Sequence, residues 1–127
     1  MFYKHIHIMD SDFWGPHAWV FLHSVTAAYP LKPTADDKRK YKQFFMLLKN
    51  VLPCPNCARH FTTLAEKINI DGYLGSRDRL MYWLYLIHSD VNQQNKKYNP
   101  DFRQVIEYYL AYHTGCQKQN GQFSCKY

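Results

Sequence analysis

Five stretches of apolar residues at helical spacing, separated by prolines and glycines, restrict what this chain can fold into. The second stretch shows the pattern, because Tyr41, Phe44 and Leu48 recur at three- and four-residue intervals before Pro53 interrupts the series. The strict alternation that marks half-buried strands is weak throughout the sequence. The connections between the stretches are short. The sequence therefore predicts an all-α fold, a four-helix bundle with an additional short fifth helix.

Capping residues and prolines predict where the helices begin. In chain order, the predicted starts are Ser11, Thr34 (with Asp37 as a capping box), Cys54 or Pro55, Ser76, and Asn99 followed by Pro100. We accordingly divide the 127 residues into an N-terminal extension at 1–10, a helical domain at 11–112 and a C-terminal tail at 113–127. The tail is polar and contains a second pair of cysteines.

Composition excludes several classes of function. A chain of 127 residues with net charge +6 is one domain on length, and no nucleic-acid-binding motif accompanies its scattered basic residues. The sequence has no apolar leader and no stretch as long as a membrane span, so we expect a soluble protein. Its 11 Tyr, 8 Phe and 3 Trp exceed what a small core needs, which indicates a stacking site for a flat ring system.

The cysteine pair Cys54 and Cys57 supports three chemistries. A structural zinc site would need two more ligands, for which Cys116 and Cys125 are poorly spaced and His60 is a substitute. A thioredoxin-like motif would need a βαβ context, which this sequence lacks. The third interpretation is a redox disulfide at a helix start, where a thiolate is stabilised. Cys54, expected to be the more exposed cysteine of the pair, would take attack from a substrate thiolate, and Cys57 would leave and pass electrons to a flavin.

Histidines and aromatic residues on both sides of this pair favour the third interpretation. Trp19 and His23 are one helical turn apart, and His88, Asn92 and Lys96 form one stripe on another helix. Taken alone, these would be core residues and a solvated polar stripe. Their combination with the cysteine pair predicts polar groups that contact a cofactor.

Four motifs, in order and spacing, resemble the flavin-dependent sulfhydryl oxidases of the Erv/ALR family. They are Trp14-Gly15-x3-Trp19-x2-Leu22-His23, Tyr29-Pro30 with Pro33-Thr34, Pro53-Cys54-x2-Cys57-x2-His60-Phe61, and His88-x2-Val91-Asn92 with Lys97. The resemblance extends from about residue 11 to residue 98, most of the chain. Two departures are Ser89, where the family usually has Asn, and Tyr85, where many relatives have a cysteine of a structural disulfide.

The resemblance implies a function and a set of site residues. It implies a helical homodimer that binds FAD noncovalently, with Cys54 and Cys57 as the catalytic disulfide and no metal. Electrons would pass from a dithiol through that disulfide to FAD and then to O2, giving H2O2. The residues implied to line the cofactor are Gly15, Trp19, His23, Cys57, His60, His88, Val91, Asn92, Lys97 and, by a weaker match, Tyr112.

The resemblance also bears on partners and on the second cysteine pair. The implied substrate is a dithiol protein, with a thioredoxin-like carrier among the candidates. Cys116 and Cys125 would be shuttle cysteines; a structural disulfide and an intersubunit bridge are the alternatives. Relatives imply host cytoplasm or the virion for a viral protein, and the mitochondrial intermembrane space otherwise. The rival functions are a zinc-stabilised helical interaction module and a family member without redox activity that uses the fold only for dimerisation.

Overall fold

The prediction of an all-α fold with four main helices and a shorter fifth is confirmed. The computed structural model describes residues 8–114 and 116–125, with the backbone alone at Gln117, Phe123 and Cys125. Its helices are α1 (Ser11–Ala27), α2 (Ala35–Val51), α3 (Pro55–Lys67), α4 (Arg77–Gln94) and α5 (Phe102–Leu110), with a 3₁₀ helix at Ile70–Tyr73 between α3 and α4. No helix in the described ranges is both long enough and apolar enough to cross a bilayer.

The helix starts agree with the predicted caps at three of five positions. Thr34 forms its capping box, and Cys54 and Ser76 cap α3 and α4. The first prediction was wrong by one residue, because the side chain of Asp10 accepts from the backbone N–H of Asp12 and so caps α1. The last was wrong by two residues, because Asp101 caps α5 in a box with Gln104. In both cases an aspartate one or two residues from the predicted cap accepts from a free N–H group at the start of the helix.

The core lies between α4 and the helices packed on it. Trp83, Leu84 and Ile87 of α4 are fully buried, and Phe45 of α2 meets the Trp83 ring edge-on at 5.2 Å between centroids. The indole N–H of Trp83 donates to the carbonyl of Ile68 at 2.8 Å, so its one polar atom is satisfied. This core holds α1, α3 and α4 in fixed positions around the residues that the sequence analysis singles out.

The C-terminal tail contains a hairpin that the sequence analysis did not predict. Strands β1 (Cys116–Gln119) and β2 (Gln122–Cys125) pair antiparallel, with the Cα of Cys116 opposite that of Cys125. The turn residues Asn120 and Gly121 have φ of 52° and 77°, as a two-residue hairpin turn requires. Asn-Gly is a signal for such a turn, but the flanking residues lack the apolar alternation that normally accompanies it.

Candidate active site

The disulfide at the start of α3 is the reactive centre of the candidate site. Cys54 and Cys57 are joined, with their Cα atoms 5.2 Å apart, and both are partly buried. The Cys54 sulfur also accepts from the backbone N–H of Cys57 at 3.3 Å, and Pro55 begins the helix where no N–H is needed. A thiolate released in this first turn would be stabilised by the helix N-terminus.

A stack of rings joins α1 to α4. Trp19 lies parallel to His88, with centroids 3.8 Å apart and planes 6° apart. His23, one turn further along α1, forms a hydrogen bond between its Nε2 and Nδ1 of His88 at 2.9 Å. The other face of His23 stacks on Tyr109 of α5 at 4.9 Å. The histidines and the tryptophan that the sequence analysis singled out on α1 and α4 therefore form one cluster. Tyr109 of α5 also belongs to this cluster, and the sequence analysis missed it as a site residue.

Both histidines are neutral around pH 7. The pKa of His23 is lowered to about 3, mainly by burial and secondly by the neighbouring His88. Burial also lowers the pKa of His88 to about 4, with the positive charge of Lys97 as the second cause. A neutral ring pair can share one hydrogen bond, with one ring as donor and the other as acceptor.

One buried ring nitrogen in this cluster has no hydrogen-bond partner in the part of the chain that the structure describes. Nδ1 of His23 is buried and lacks a hydrogen bond within the described residues, although the side chain is only 2% exposed. A buried polar atom without a partner costs free energy, so such an atom indicates that a group beyond the described residues satisfies it. A ligand bound against the ring cluster would do so.

A cleft of about 310 Å³ opens beside the ring cluster, between α4, α5 and the segment that joins them. Its lining residues are His23, Tyr85, His88, Asn92, Tyr98, Asn99, Pro100, Gln104, Val105, Tyr108 and Tyr109. The lining combines aromatic rings with a few polar groups, as sites for flat organic ligands usually do. Three of the predicted cofactor residues, His23, His88 and Asn92, lie in this wall.

A polar contact connects the disulfide helix to the cleft helix. Nε2 of His60, one turn after Cys57 on α3, lies 3.2 Å from Oδ2 of Asp90 on α4. Asp90 is two residues from His88, whose side chain lines the cleft. Because side chains two residues apart on a helix point to different sides, this contact joins α3 to α4 but does not place His60 in the cleft wall.

The remaining predicted residues are spread around this arrangement. Val91 packs partly buried against the core, and Lys97 is exposed just beyond α4, with its charge close enough to affect His88. Gly15 has open space where a side chain would be. Tyr112 is exposed and touches the cleft residue Tyr108, at 5.6 Å between ring centroids. Lys96, placed on the helical stripe by its spacing, lies outside α4 with a φ of 54°.

The described residues offer no metal site to support the zinc alternative. No group of three or more His, Cys, Asp or Glu side chains in those ranges could hold an ion. Cys54 and Cys57 are bonded to each other and so are not available as thiolate ligands.

The fold and the site together define a small helical protein with a disulfide at the start of α3 and an aromatic cleft between α4 and α5. A family model, the Erv1/Alr family, matches residues 16–121. The chain belongs to the Erv1/Alr family, which confirms the resemblance found in the motifs.

Individual relatives agree with this assignment. The chain is 35% identical over 100 residues to a probable FAD-linked sulfhydryl oxidase of Acanthamoeba polyphaga mimivirus, an alignment that covers 78% of this chain and 70% of that protein. It is 31% identical to the FAD-linked sulfhydryl oxidase ERV2 of Saccharomyces cerevisiae over 85% of this chain and 53% of the yeast protein. The crystal structure of the FAD binding domain of Erv1 from Saccharomyces cerevisiae matches with a TM-score of 0.75 at 31% identity, over 80% of this chain and 94% of that one.

Proposed function

We propose that this protein is an FAD-dependent thiol oxidase that forms disulfide bonds in substrate proteins. The observation that supports this most directly is the Cys54–Cys57 disulfide at the start of α3, a helix joined by the His60–Asp90 contact to α4, whose other residues line an aromatic cleft. The names of the relatives favour the same activity. The chain spans about half of the yeast ERV2 protein, so the activity of that whole protein is a proposal for this chain.

The residues present fit noncovalent FAD. The unpartnered Nδ1 of His23 offers a hydrogen bond, and the Trp19–His88 stack and Tyr109 offer faces for ring systems. The proposed FAD-contacting residues are Gly15, Trp19, His23, Cys57, His60, His88, Val91, Asn92, Lys97 and Tyr112. When bound, FAD would accept two electrons from the enzyme's dithiol and deliver them to oxygen as hydrogen peroxide.

The chain's own residues provide the thiol chemistry. A substrate thiolate attacks Sγ of Cys54, the bond between Cys54 and Cys57 breaks, and Cys57 leaves as a thiolate. A second substrate thiolate then attacks the mixed disulfide, which releases the oxidised substrate and leaves the enzyme with two electrons on its cysteines. The first turn of α3 stabilises the Cys57 thiolate through its free N–H groups and the helix dipole.

The proposal includes a homodimer that forms through an apolar surface on α1 and α2, which we call the α1/α2 face. This face consists of Met9, Phe13, Val20, Phe21, Leu47 and Val51, all between 48% and 65% exposed. Phe13, Val20 and Phe21 share one side of α1, and the Phe21 ring meets Phe44 of α2 at 6.4 Å. Apolar surface of this kind is buried in stable dimers.

The second cysteine pair enters the proposal as a relay. Cys116 is disulfide-bonded and its Cα lies opposite that of Cys125; the Cys125 side chain is outside the described residues. We propose that the two form one disulfide, which takes electrons from a substrate dithiol and passes them to the Cys54–Cys57 disulfide. The cellular compartment and the thioredoxin-like carrier stay predictions of the family resemblance.

A cysteine variant tests the proposed function. Cys57→Ala should still bind FAD, seen as a flavin spectrum, but should lose oxygen uptake with a small dithiol, because it lacks the thiolate that is proposed to reduce the flavin and the disulfide that accepts the substrate's electrons. Thr63→Ala, an exposed change on the same helix, is the matched control and should keep parental activity. Oxygen uptake at the parental rate in Cys57→Ala, or a purified parent without flavin, would contradict the proposal.

A further inference from the structure

Arg77, the first residue of α4, is a buried cation to which the proposed reaction gives no role. Its side chain is 1% exposed, and its Nε donates to the backbone oxygen of Tyr29 at 2.5 Å. Among the described residues no carboxylate forms an ion pair with the guanidinium. A buried charge without a counter-ion is unfavourable, so an anion that appears beside it would be strongly stabilised.

The group beside Arg77 that can become an anion is Cys116. Nη1 of Arg77 lies 3.9 Å from Sγ of Cys116, which is 9% exposed and packed with Ala27, Met81 and Leu110. As part of a disulfide this sulfur is neutral. Once the disulfide opens, the same sulfur can ionise, and a cation next to a thiolate lowers the thiol pKa.

We propose that Arg77 stabilises Cys116 as the leaving thiolate of the second disulfide, so that substrate thiols attack Cys125 and Cys116 is displaced. In this step a bond forms between the substrate sulfur and Sγ of Cys125, the bond to Cys116 breaks, and its electron pair remains on Cys116 beside Arg77. A second substrate thiolate attacks the mixed disulfide, so the substrate loses two electrons and the cysteine pair gains them. The inference rests on the relay role in the proposed function.

Packing and charge both support this order of attack. Cys116 is enclosed by α1, α4 and α5, which hinders an approaching thiol, and a good leaving group is one that is stable as an anion. Two titratable groups near Cys116, His113 and Tyr109, carry no charge near pH 7. Burial, and then Arg77, lower the pKa of His113, while burial raises the pKa of Tyr109. Burial lowers the pKa of Arg77, and the nearby Asp78 and then Tyr41 act in the opposite direction. The Asp78 carboxylate therefore offsets part of the Arg77 charge without forming an ion pair with it, and Lys118 is paired with Glu107.

The first experiment measures the Cys116 thiol directly. In the full chain with Cys54→Ser, Cys57→Ser and Cys125→Ser, Cys116 is the one remaining thiol, and the ultraviolet absorbance of its thiolate is followed against pH. We expect a pKa at least one unit below the ordinary value of about 8.5. Arg77→Met should raise it above that value, whereas Arg79→Met, which removes an exposed charge two residues along α4, should leave it unchanged. A Cys116 pKa at or above 8.5 with Arg77 present would overturn the proposal, even if Arg77→Met fails to fold.

The second experiment measures the disulfide. The chain with only Cys54→Ser and Cys57→Ser is equilibrated with glutathione buffers, with and without Arg77→Met. We expect Arg77→Met to shift the equilibrium between the dithiol and the disulfide of Cys116 and Cys125 about tenfold toward the disulfide, which is ~30 mV for two electrons. Arg77→Lys should keep an equilibrium constant close to the parental one, because lysine keeps the positive charge. Brief exposure to glutathione should place the mixed disulfide on Cys125, and an adduct on Cys116 would overturn the order of attack.

These measurements need no flavin, so they remain informative if the chain proves not to be an oxidase. The relay itself is tested separately by the double variant Cys116→Ala, Cys125→Ala. In this variant the rate with a protein dithiol should fall by a larger factor than the rate with a small dithiol, because a small dithiol can reach Cys54 directly. Parental rates with both would overturn the relay, and with it the use proposed for the Arg77–Cys116 contact.

Discussion

His23 and His88 form a pair of neutral imidazoles held together by burial and one hydrogen bond. At 2.9 Å between ring nitrogens, protonation of both rings would place two donors against each other and two positive charges in a buried site. The neutral state keeps one ring nitrogen able to accept or donate toward a ligand. The same energetics makes the pair a source of pH-dependent stability.

The pair predicts that stability falls on acidification. Both rings have pKa values, about 3 for His23 and about 4 for His88, below the ordinary value of 6.5. The unfolded chain therefore binds protons first, and the rings' contribution to stability is fully present above pH 6.5 and is lost as the pH falls through about 4 for His88 and about 3 for His23. Urea unfolding of flavin-free protein between pH 7 and pH 4.5 should show the free energy of unfolding fall with pH, with a slope on the order of 1.4 kcal/mol per pH unit for each ring.

A substitution separates this pair from the other titrating groups. His88→Gln should reduce the slope by about one ring's share, because one titrating group is removed while hydrogen bonding is retained. His17→Gln, at an exposed position on α1, should leave the slope unchanged. An equal slope in His88→Gln and the parent would show that the pair is not the source of the pH dependence.

At the scale of elements, Asn99 attaches the segment after α4 to α4 itself. Its Oδ1 accepts from Nδ2 of Asn92 at 3.0 Å, and its Nδ2 donates to Ser89 Oγ at 3.1 Å and to the Tyr85 hydroxyl at 3.5 Å. Tyr85 also donates to the carbonyl of Pro100 at 2.8 Å. Two of the contacts involve Ser89 and Tyr85, the positions at which the motifs depart from the pattern that the resemblance implies, so hydrogen bonds hold this wall of the cleft.

Removal of this amide should weaken cofactor retention. Asn99→Ala leaves the buried amide of Asn92 without its partner and loosens the segment that lines the cleft, a cost of about 1–3 kcal/mol. We expect FAD to dissociate several-fold more readily, as measured by flavin fluorescence on dilution. Gln93→Ala, an exposed change on α4, should retain FAD as the parent does, and equal retention in Asn99→Ala would refute this role.

At the scale of the whole molecule, the α1/α2 face is the surface that a second copy would cover. Its member Met9 belongs to the N-terminal extension. The backbone N–H of Met9 donates to the carbonyl of Pro53 at 2.9 Å, and the Trp14 indole donates to the carbonyl of Met9. These bonds hold Met9 next to the end of α2, so that the extension adds to the apolar surface.

A charge in this face should separate the proposed dimer. Phe21→Glu would place a carboxylate in a desolvated interface, so sedimentation should show a monomer where the parent is a dimer. Leu31→Glu, an exposed apolar position in the connection between α1 and α2, is the matched control and should leave the dimer intact. A parent that sediments as a monomer would refute the dimer.

Much of the helical framework could be predicted because its signals are local. Prolines, capping residues and apolar spacing act within a few residues, so the capping box at Thr34 and the start of α3 at Cys54 followed from the sequence. The errors at Asp10 and Asp101 arose where two capping residues stand close together. Which of the two caps a helix depends on how the chain enters it, and that depends on packing.

The sequence by itself determined the helical class, the cysteine pair at a helix start and the histidines spaced one turn apart, because each is a relation between near neighbours. The tertiary structure decided which separate residues meet. His23 contacts His88 and Tyr109, Arg77 contacts Cys116, and Asn99 turns back onto α4. These contacts join residues on different elements, and burial of the α4 core brings the elements together. No local pattern encodes such distances, because the gain comes from apolar area removed from water across the whole chain.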